Sequence, residues 1–249
     1  MTQLVLVRHG QSEWNKQNRF TGFHDVGLTA EGVKEAKKAG KLLAKEGIQF
    51  DVAFTSYQRR AIKTLWLALE AAEQYHVTVT KDWRLNERHY GALTGLNKQE
   101  TRDKHGDEQV HIWRRSFDVP PPQIDMDHEY HPSKDPKYAH IDPKELPTGE
   151  SLKMTCERVL PYFDSQIKLF LRNNSNVVIS AHGNSLRALL KQLFDVADKD
   201  IPSFEFPTGN PLLIELEDDT MAVKSARYLD EKRAKELPAI PKAKKPKTA

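Results

Sequence analysis

Leu4-Val5-Leu6-Val7-Arg8-His9-Gly10 is the stretch whose reading decides the fold. Four consecutive Leu and Val residues are too few for an isolated helix. Rich in β-branched side chains, they fit a strand covered on both faces, as in a parallel sheet. The run then stops at an arginine, a histidine and a glycine. In open α/β sheets ligands gather beyond the carboxyl ends of the strands, where Gly10 lets the backbone turn and approach a ligand closely. Arg8 offers a permanent cation able to hold a phosphate with two hydrogen bonds, beside an imidazole able to act as a nucleophile. Taken alone, the stretch reads first as an ordinary strand end with a solvated Arg and His.

A second copy of the pattern changes that reading. Asn176-Val177-Val178-Ile179-Ser180-Ala181-His182-Gly183 is again a β-branched run ending in His-Gly, and Leu186, Leu189, Leu190 and Leu193 follow at helical spacing. If the two strands are parallel neighbours, both histidines enter one crevice. One imidazole can then attack phosphorus while the other, with Arg8, neutralises the oxygens.

The chain has 249 residues, 38% hydrophobic and 29% charged. That suits one large domain with a long insertion, and no apolar run approaches the roughly 18 residues that span a membrane. The sequence enters a strand almost at once, without a basic region and cleavage site, so no secretory signal is expected. The single cysteine, Cys156, is expected to pack in a core, and the cytoplasm is the expected compartment. The net charge of +3 is misleading until it is divided. Lys232 to Ala249 holds seven Lys/Arg and one Glu, which leaves −3 for the rest. The globular part is therefore not a nucleic-acid surface, and the Lys/Pro/Ala-rich stretch from 231 is expected to be a disordered tail.

Along the chain, Thr29 is expected to cap a helix running to about Glu46, with Val33, Ala36, Gly40, Leu43 and Ala44 inward. Val52 to Ser56 reads as a second buried strand, followed by Arg59-Arg60 at a helix start, where backbone N–H groups also favour an anion. Val77-Thr78-Val79 reads as a short strand. In Trp83-Arg84-Leu85-Asn86-Glu87-Arg88-His89-Tyr90-Gly91, a carboxylate sits among cations; in a phosphate site, Glu87 becomes the candidate for proton transfer. Amphipathic pieces follow near 98–104 and 108–117. Between Pro120 and Pro147 lie seven of the fourteen prolines, as in a lid, a binding excursion or a subunit contact. His128 and His131 have metal-site spacing but no convincing third ligand. A helix from Ser151 to about Leu171 should bend or break at Pro161. Leu212 to Leu216 and Ala222 to Tyr228 could pair as a hairpin.

Leu-Val-Arg-His-Gly-Gln-Ser-Glu-Trp-Asn at 6–15, Phe-Thr-Gly at 20–22, Leu-Asn-Glu-Arg-His-Tyr-Gly at 85–91 and Ala-His-Gly-Asn-Ser-Leu-Arg at 181–187 closely resemble the cofactor-dependent phosphoglycerate mutases of the histidine phosphatase superfamily. The resemblance extends to about Tyr228. It implies an α/β fold of three layers, α/β/α, around a mostly parallel six-stranded sheet, with residues 1–230 as one catalytic domain and 97–150 as an insertion or lid. It also implies that His9 is phosphorylated, that Arg8, Arg60 and His182 form the phosphate pocket, and that Glu87 moves the proton. Asn15, Thr21, Gly22, Tyr90, Lys98, Arg114, Arg115, Gly183 and Asn184 match substrate-contacting positions, with Arg114 and Arg115 on the substrate carboxylate. The implied reaction interconverts 3-phosphoglycerate and 2-phosphoglycerate through 2,3-bisphosphoglycerate, which also primes the enzyme, without a metal. A homodimer or homotetramer is implied, with no nucleic-acid or membrane partner.

Three features depart from the family pattern: Phe23 after Phe-Thr-Gly, the segment Leu146-Pro147-Thr148-Gly149-Glu150-Ser151, and the Pro/Lys-rich end. The last bears on the balance between transfer and hydrolysis. Three alternatives therefore stay open: a phosphatase on the same fold, a bisphosphoglycerate mutase sharing nearly every residue named, and a binding protein acting through its basic tail.

Overall fold

In the computed structural model, which describes residues 2–218, 220–235, 237 and 239–241, one six-stranded sheet carries the chain. Its strands are β1 (Thr2–Arg8), β2 (Val52–Thr55), β3 (Thr78–Lys81), β4 (Val177–Ala181), β5 (Leu212–Leu216) and β6 (Val223–Tyr228), in the spatial order β3-β2-β4-β1-β5-β6. The first four are parallel; β5 runs antiparallel to β1 and closes a hairpin with β6. The two His-Gly strands are neighbours in register, from Leu4 opposite Val177 to Arg8 opposite Ala181.

The apolar run of β1 is buried on both faces because alternate side chains enter different cores. Leu4 and Leu6 join Val177, Ile179, Leu212 and Ile214 under α6 (Leu152–Tyr162), α7 (Lys168–Arg172) and α8 (Gly183–Phe194). Val5 and Val7, with Ala53, Val178 and Leu213, face α2 (Ala30–Lys45) and α3 (Arg59–Ala71). This is the expected three-layer arrangement. Cys156 lies in the first core, 6% exposed, and burial pushes its thiol up to about 11.

The remaining helices are short: α1 (Glu13–Lys16), α4 (Lys98–His105), α5 (Asp107–Arg115) and α9 (Glu231–Ala234). Several expectations shift. Thr29 does cap α2, accepting from the Gly32 N–H, but the inward face is Gly32, Ala36, Ala39, Gly40 and Leu43; Ala44 is exposed and Val33 only half-buried. The helix expected to bend or break at Pro161 runs through it to Tyr162 and then passes into a π-helical turn at Phe163–Ile167 before α7. The proline-rich excursion is a chain of 3-10 turns, each opening on a proline at 132, 136 and 143.

The stretch expected as a tail begins in order. Arg233 donates to Glu35 (3.0 Å) and to the Thr208 carbonyl (2.8 Å), while Leu237 and Ile240 pack on the first core. Residues 236, 238 and 242–249 of that stretch lie outside the described residues. No helix among the described residues is long and apolar enough to cross a membrane.

Candidate active site

Parallel strands β1 and β4 end side by side, so His9 and His182 meet with ring centroids 5.0 Å apart. The His9 N–H donates to the Ala181 carbonyl (3.0 Å), continuing the strand pairing by one residue. His9 Nδ1 lies 2.7 Å from the Gly10 carbonyl, an acceptor only, so the proton sits on Nδ1 and the lone pair on Nε2. Burial, then Arg60 and Arg8, hold its pKa well below the ordinary value, outweighing the Gly10 bond. His9 is therefore a neutral imidazole with a free nucleophilic nitrogen at neutral pH.

Cations surround it. Arg8 follows from the strand itself, donates to the Phe206 carbonyl (2.8 Å), and keeps a buried Nε without a partner. Arg60, 1% exposed at the start of α3, donates to the carbonyls of His24 (3.0 Å) and Gly22 (2.9 Å); burial brings it down to about 10. Both are anchored through carbonyls, so neither guanidinium is neutralised there.

Glu87 stands opposite. Its Oε1 accepts from the Arg88 N–H (2.8 Å), the Asn184 N–H (3.0 Å) and the Asn184 side-chain amide (3.0 Å), at the N-terminus of α8. Burial opposes ionisation, but these donors, with Arg60 and Arg8, keep its pKa below the ordinary carboxylate value. Glu87 is thus a carboxylate, fit to accept a proton. Tyr90 sits under Arg88, whose guanidinium carbon is 4.7 Å from the ring. Although burial opposes it, Arg88 and Lys98 bring the phenol down to about 8.

A cavity of about 250 Å³ opens over these groups. Every residue that the resemblance assigned to the site lines it except His182, which is fully buried beneath: Arg8, His9, Asn15, Thr21, Gly22, Arg60, Glu87, Tyr90, Lys98, Arg114, Arg115, Gly183 and Asn184. Sequence reasoning missed Arg19, Phe20, Arg187 and Glu205, which also line it. Arg187 is one helical turn after Gly183 and reaches Asn184 Oδ1 (3.1 Å), so helical spacing could have flagged it; Glu205, ion-paired with Arg115, gave no signal. Seven basic side chains thus face two carboxylates. The site fits a small molecule bearing several negative charges.

His128 and His131 are not part of it. Their Nδ1 atoms accept backbone N–H groups of Tyr130 and Ser133, and no metal-holding group of three or more His, Cys, Asp or Glu occurs among the described residues.

Comparison with known proteins agrees with this geometry. The family model for the histidine phosphatase superfamily, branch 1, matches residues 4–132 and 124–228. The chain is 59% identical over 243 residues to a 2,3-bisphosphoglycerate-dependent phosphoglycerate mutase of Maricaulis maris, covering 98% of this chain and 100% of the other. It is 62% identical over 229 residues to an enzyme of the same name from Erythrobacter litoralis, covering 92% and 99%. Among solved structures, a mycobacterial glucosyl-3-phosphoglycerate phosphatase shares the fold with TM-score 0.68 at 22% identity, over 92% of this chain and 97% of that one. An α-ribazole phosphatase of Shigella flexneri does so with TM-score 0.67 at 20% identity, over 92% and 96%. The chain belongs to branch 1 of the histidine phosphatase superfamily, within its phosphoglycerate mutase family.

Proposed function

We propose that the chain interconverts 3-phosphoglycerate and 2-phosphoglycerate as a 2,3-bisphosphoglycerate-dependent mutase. The observation that carries this reading is the neutral His9 with a free Nε2, set among Arg8, Arg60 and the carboxylate of Glu87. Full-length relatives bearing that name support it.

His9 Nε2 attacks phosphorus in line, and Arg8, Arg60 and His182 hold the oxygens as charge spreads over them. Once phosphorylated, His9 passes the group to the free hydroxyl of a bound monophosphoglycerate, and Glu87 takes the hydroxyl proton. Arg114 and Arg115 hold the carboxylate; Asn15, Thr21, Gly22, Tyr90, Lys98, Gly183 and Asn184 orient the rest. The bisphosphorylated product then turns over in the cavity, and His9 recovers the other phosphoryl group while Glu87 returns the proton. Bound 2,3-bisphosphoglycerate supplies the phosphoryl group that primes His9. The excess of cations and the unpartnered buried Arg8 Nε suit such a polyanion.

No metal is assigned a role. Residues 97–150 act as the insertion over the site, since Lys98, Arg114 and Arg115 come from them. Family resemblance supports a cytoplasmic homodimer or homotetramer, checked by light scattering.

The experiment follows 2-phosphoglycerate and free phosphate together, from 3-phosphoglycerate with chelator, with and without trace 2,3-bisphosphoglycerate. Primed, chelator-insensitive isomerisation with little free phosphate is expected. Phosphate release without isomerisation would make the chain a phosphatase on the same fold.

A further inference from the structure

The strand order places three polar residues in a row, because β2, β4 and β1 are adjacent and parallel and each delivers the residue after its last: Ser56, His182 and His9. All three are buried. Ser56 Oγ lies 2.8 Å from His182 Nε2 and accepts the Gln58 backbone N–H at 3.1 Å. The Gln58 group can only donate, so the Ser56 hydroxyl proton must go elsewhere. Among the described residues, His182 Nε2 is the acceptor that lies within reach.

We infer that Ser56 is a positioning residue that fixes His182 in the tautomer carrying its proton on Nδ1. A serine hydroxyl that donates to Nε2 leaves a neutral imidazole with only Nδ1 for its proton. Nδ1 is buried and makes no hydrogen bond in the protein; the Ser185 backbone N–H faces the His182 side chain in a capping-box arrangement without bonding to it, and the His9 ring centroid lies 5.0 Å from that of His182. Burial, Arg60, His9 and Arg8 also disfavour the doubly protonated ring, which would otherwise donate from both nitrogens. The two histidines are therefore held in complementary states. His9 gives its Nδ1 proton to a backbone carbonyl and keeps a bare nucleophilic Nε2, while His182 receives at Nε2 and keeps a bare N–H for a phosphoryl oxygen. The role of that N–H rests on the phosphoryl-transfer reading; the tautomer does not.

The test is nitrogen NMR of the full chain labelled at histidine, unphosphorylated, for wild type, Ser56→Ala and Ser56→Thr, with His182→Gln to assign the signals. Wild type and Ser56→Thr should show His182 protonated at Nδ1 and bare at Nε2, and Ser56→Ala should lose that state. In parallel, kcat of Ser56→Ala should fall about tenfold to a hundredfold, with KM within about twofold and Ser56→Thr recovering most of the loss. Three results overturn the inference: an Nε2-protonated His182 in wild type, a Ser56→Ala protein with an unchanged tautomer, or one with a changed tautomer and unchanged kcat. A wild type that binds 3-phosphoglycerate without isomerising it would instead contradict the mutase reading, and the tautomer measurement still decides this one.

Discussion

Arg158 grips both carboxylate oxygens of Glu150, with Nε 2.7 Å from Oε1 and Nη2 2.9 Å from Oε2, and the two side chains are only 7% and 3% exposed. The same guanidinium donates to the carbonyls of Arg84 (2.7 Å), Asn86 (3.3 Å) and Glu87 (3.3 Å), and Glu150 accepts the His89 N–H (2.8 Å). The segment that carries the proposed acid–base residue thus hangs on one buried ion pair. Removing one partner leaves the other charge buried and alone. Arg158→Met should cost about 3–5 kcal/mol in urea unfolding and lower kcat, while Arg158→Met combined with Glu150→Leu should cost less. Equal losses in the single and double variants would contradict the pairing.

Acid should destabilise the protein well above the carboxylate range. Burial pushes His89 down to about 4 despite Glu150, and its Nδ1 accepts the Gly91 N–H (3.0 Å), which requires a neutral ring. The folded pKa lies below the unfolded one, so the contribution is complete above about pH 6.5 and is lost as pH falls towards 4, by about 3 kcal/mol. His9 and His182 are lowered as well and act in the same direction. His89→Gln should make the fall of unfolding free energy with pH shallower by about 1.4 kcal/mol per unit in that window. An unchanged slope would refute the assignment.

Gly32 can take no side chain without a shift of the backbone it rests on. A Cβ there would lie 2.1 Å from the Gln11 carbonyl oxygen, and one on Gly10 would lie 2.2 Å from the Gly32 carbonyl oxygen. Helix α2 therefore rests its backbone on the loop behind His9. Gly32→Ala should cost about 1–3 kcal/mol and lower kcat with it, whereas Gly27→Ala, whose Cβ would come no closer than 3.5 Å to a side-chain oxygen, should do neither.

Glu205 stands where an anionic ligand would pair with Arg115, and Arg187 also draws its charge. With the substrate carboxylate on Arg115, as proposed, Glu205 is the group it displaces. Glu205→Gln should lower KM for 3-phosphoglycerate by about twofold to fivefold, the scale of a partly exposed ion pair. A higher KM would mean that Glu205 serves to orient Arg115.

These contacts also mark the limit of what the sequence reveals. The two His-Gly strands were legible because short β-branched runs that end in His-Gly have few other readings, and Arg8 came with the first of them; Arg60, Lys98, Arg114 and Arg115 lie outside the four motifs and were placed in the site by the resemblance, and Arg19 and Arg187 were missed. The inward face of α2 was misjudged because Gly32 is buried by a backbone contact, which no hydropathy pattern records. Ser56 read as the last residue of a strand; its importance depends on β2 lying beside β4, a pairing across 126 positions. Glu205 meets Arg115 across 90 positions, from a loop with no periodicity.

The most direct test of the central claim is intact-protein mass spectrometry after brief incubation with 2,3-bisphosphoglycerate. Wild type should gain one phosphoryl group that is acid-labile and alkali-stable, should pass it to added 3-phosphoglycerate as 2,3-bisphosphoglycerate, and should regain a phosphoryl group on His9 each time 2-phosphoglycerate is released; His9→Gln should gain none. A His9→Gln protein that is phosphorylated and isomerises at the wild-type rate would contradict the account.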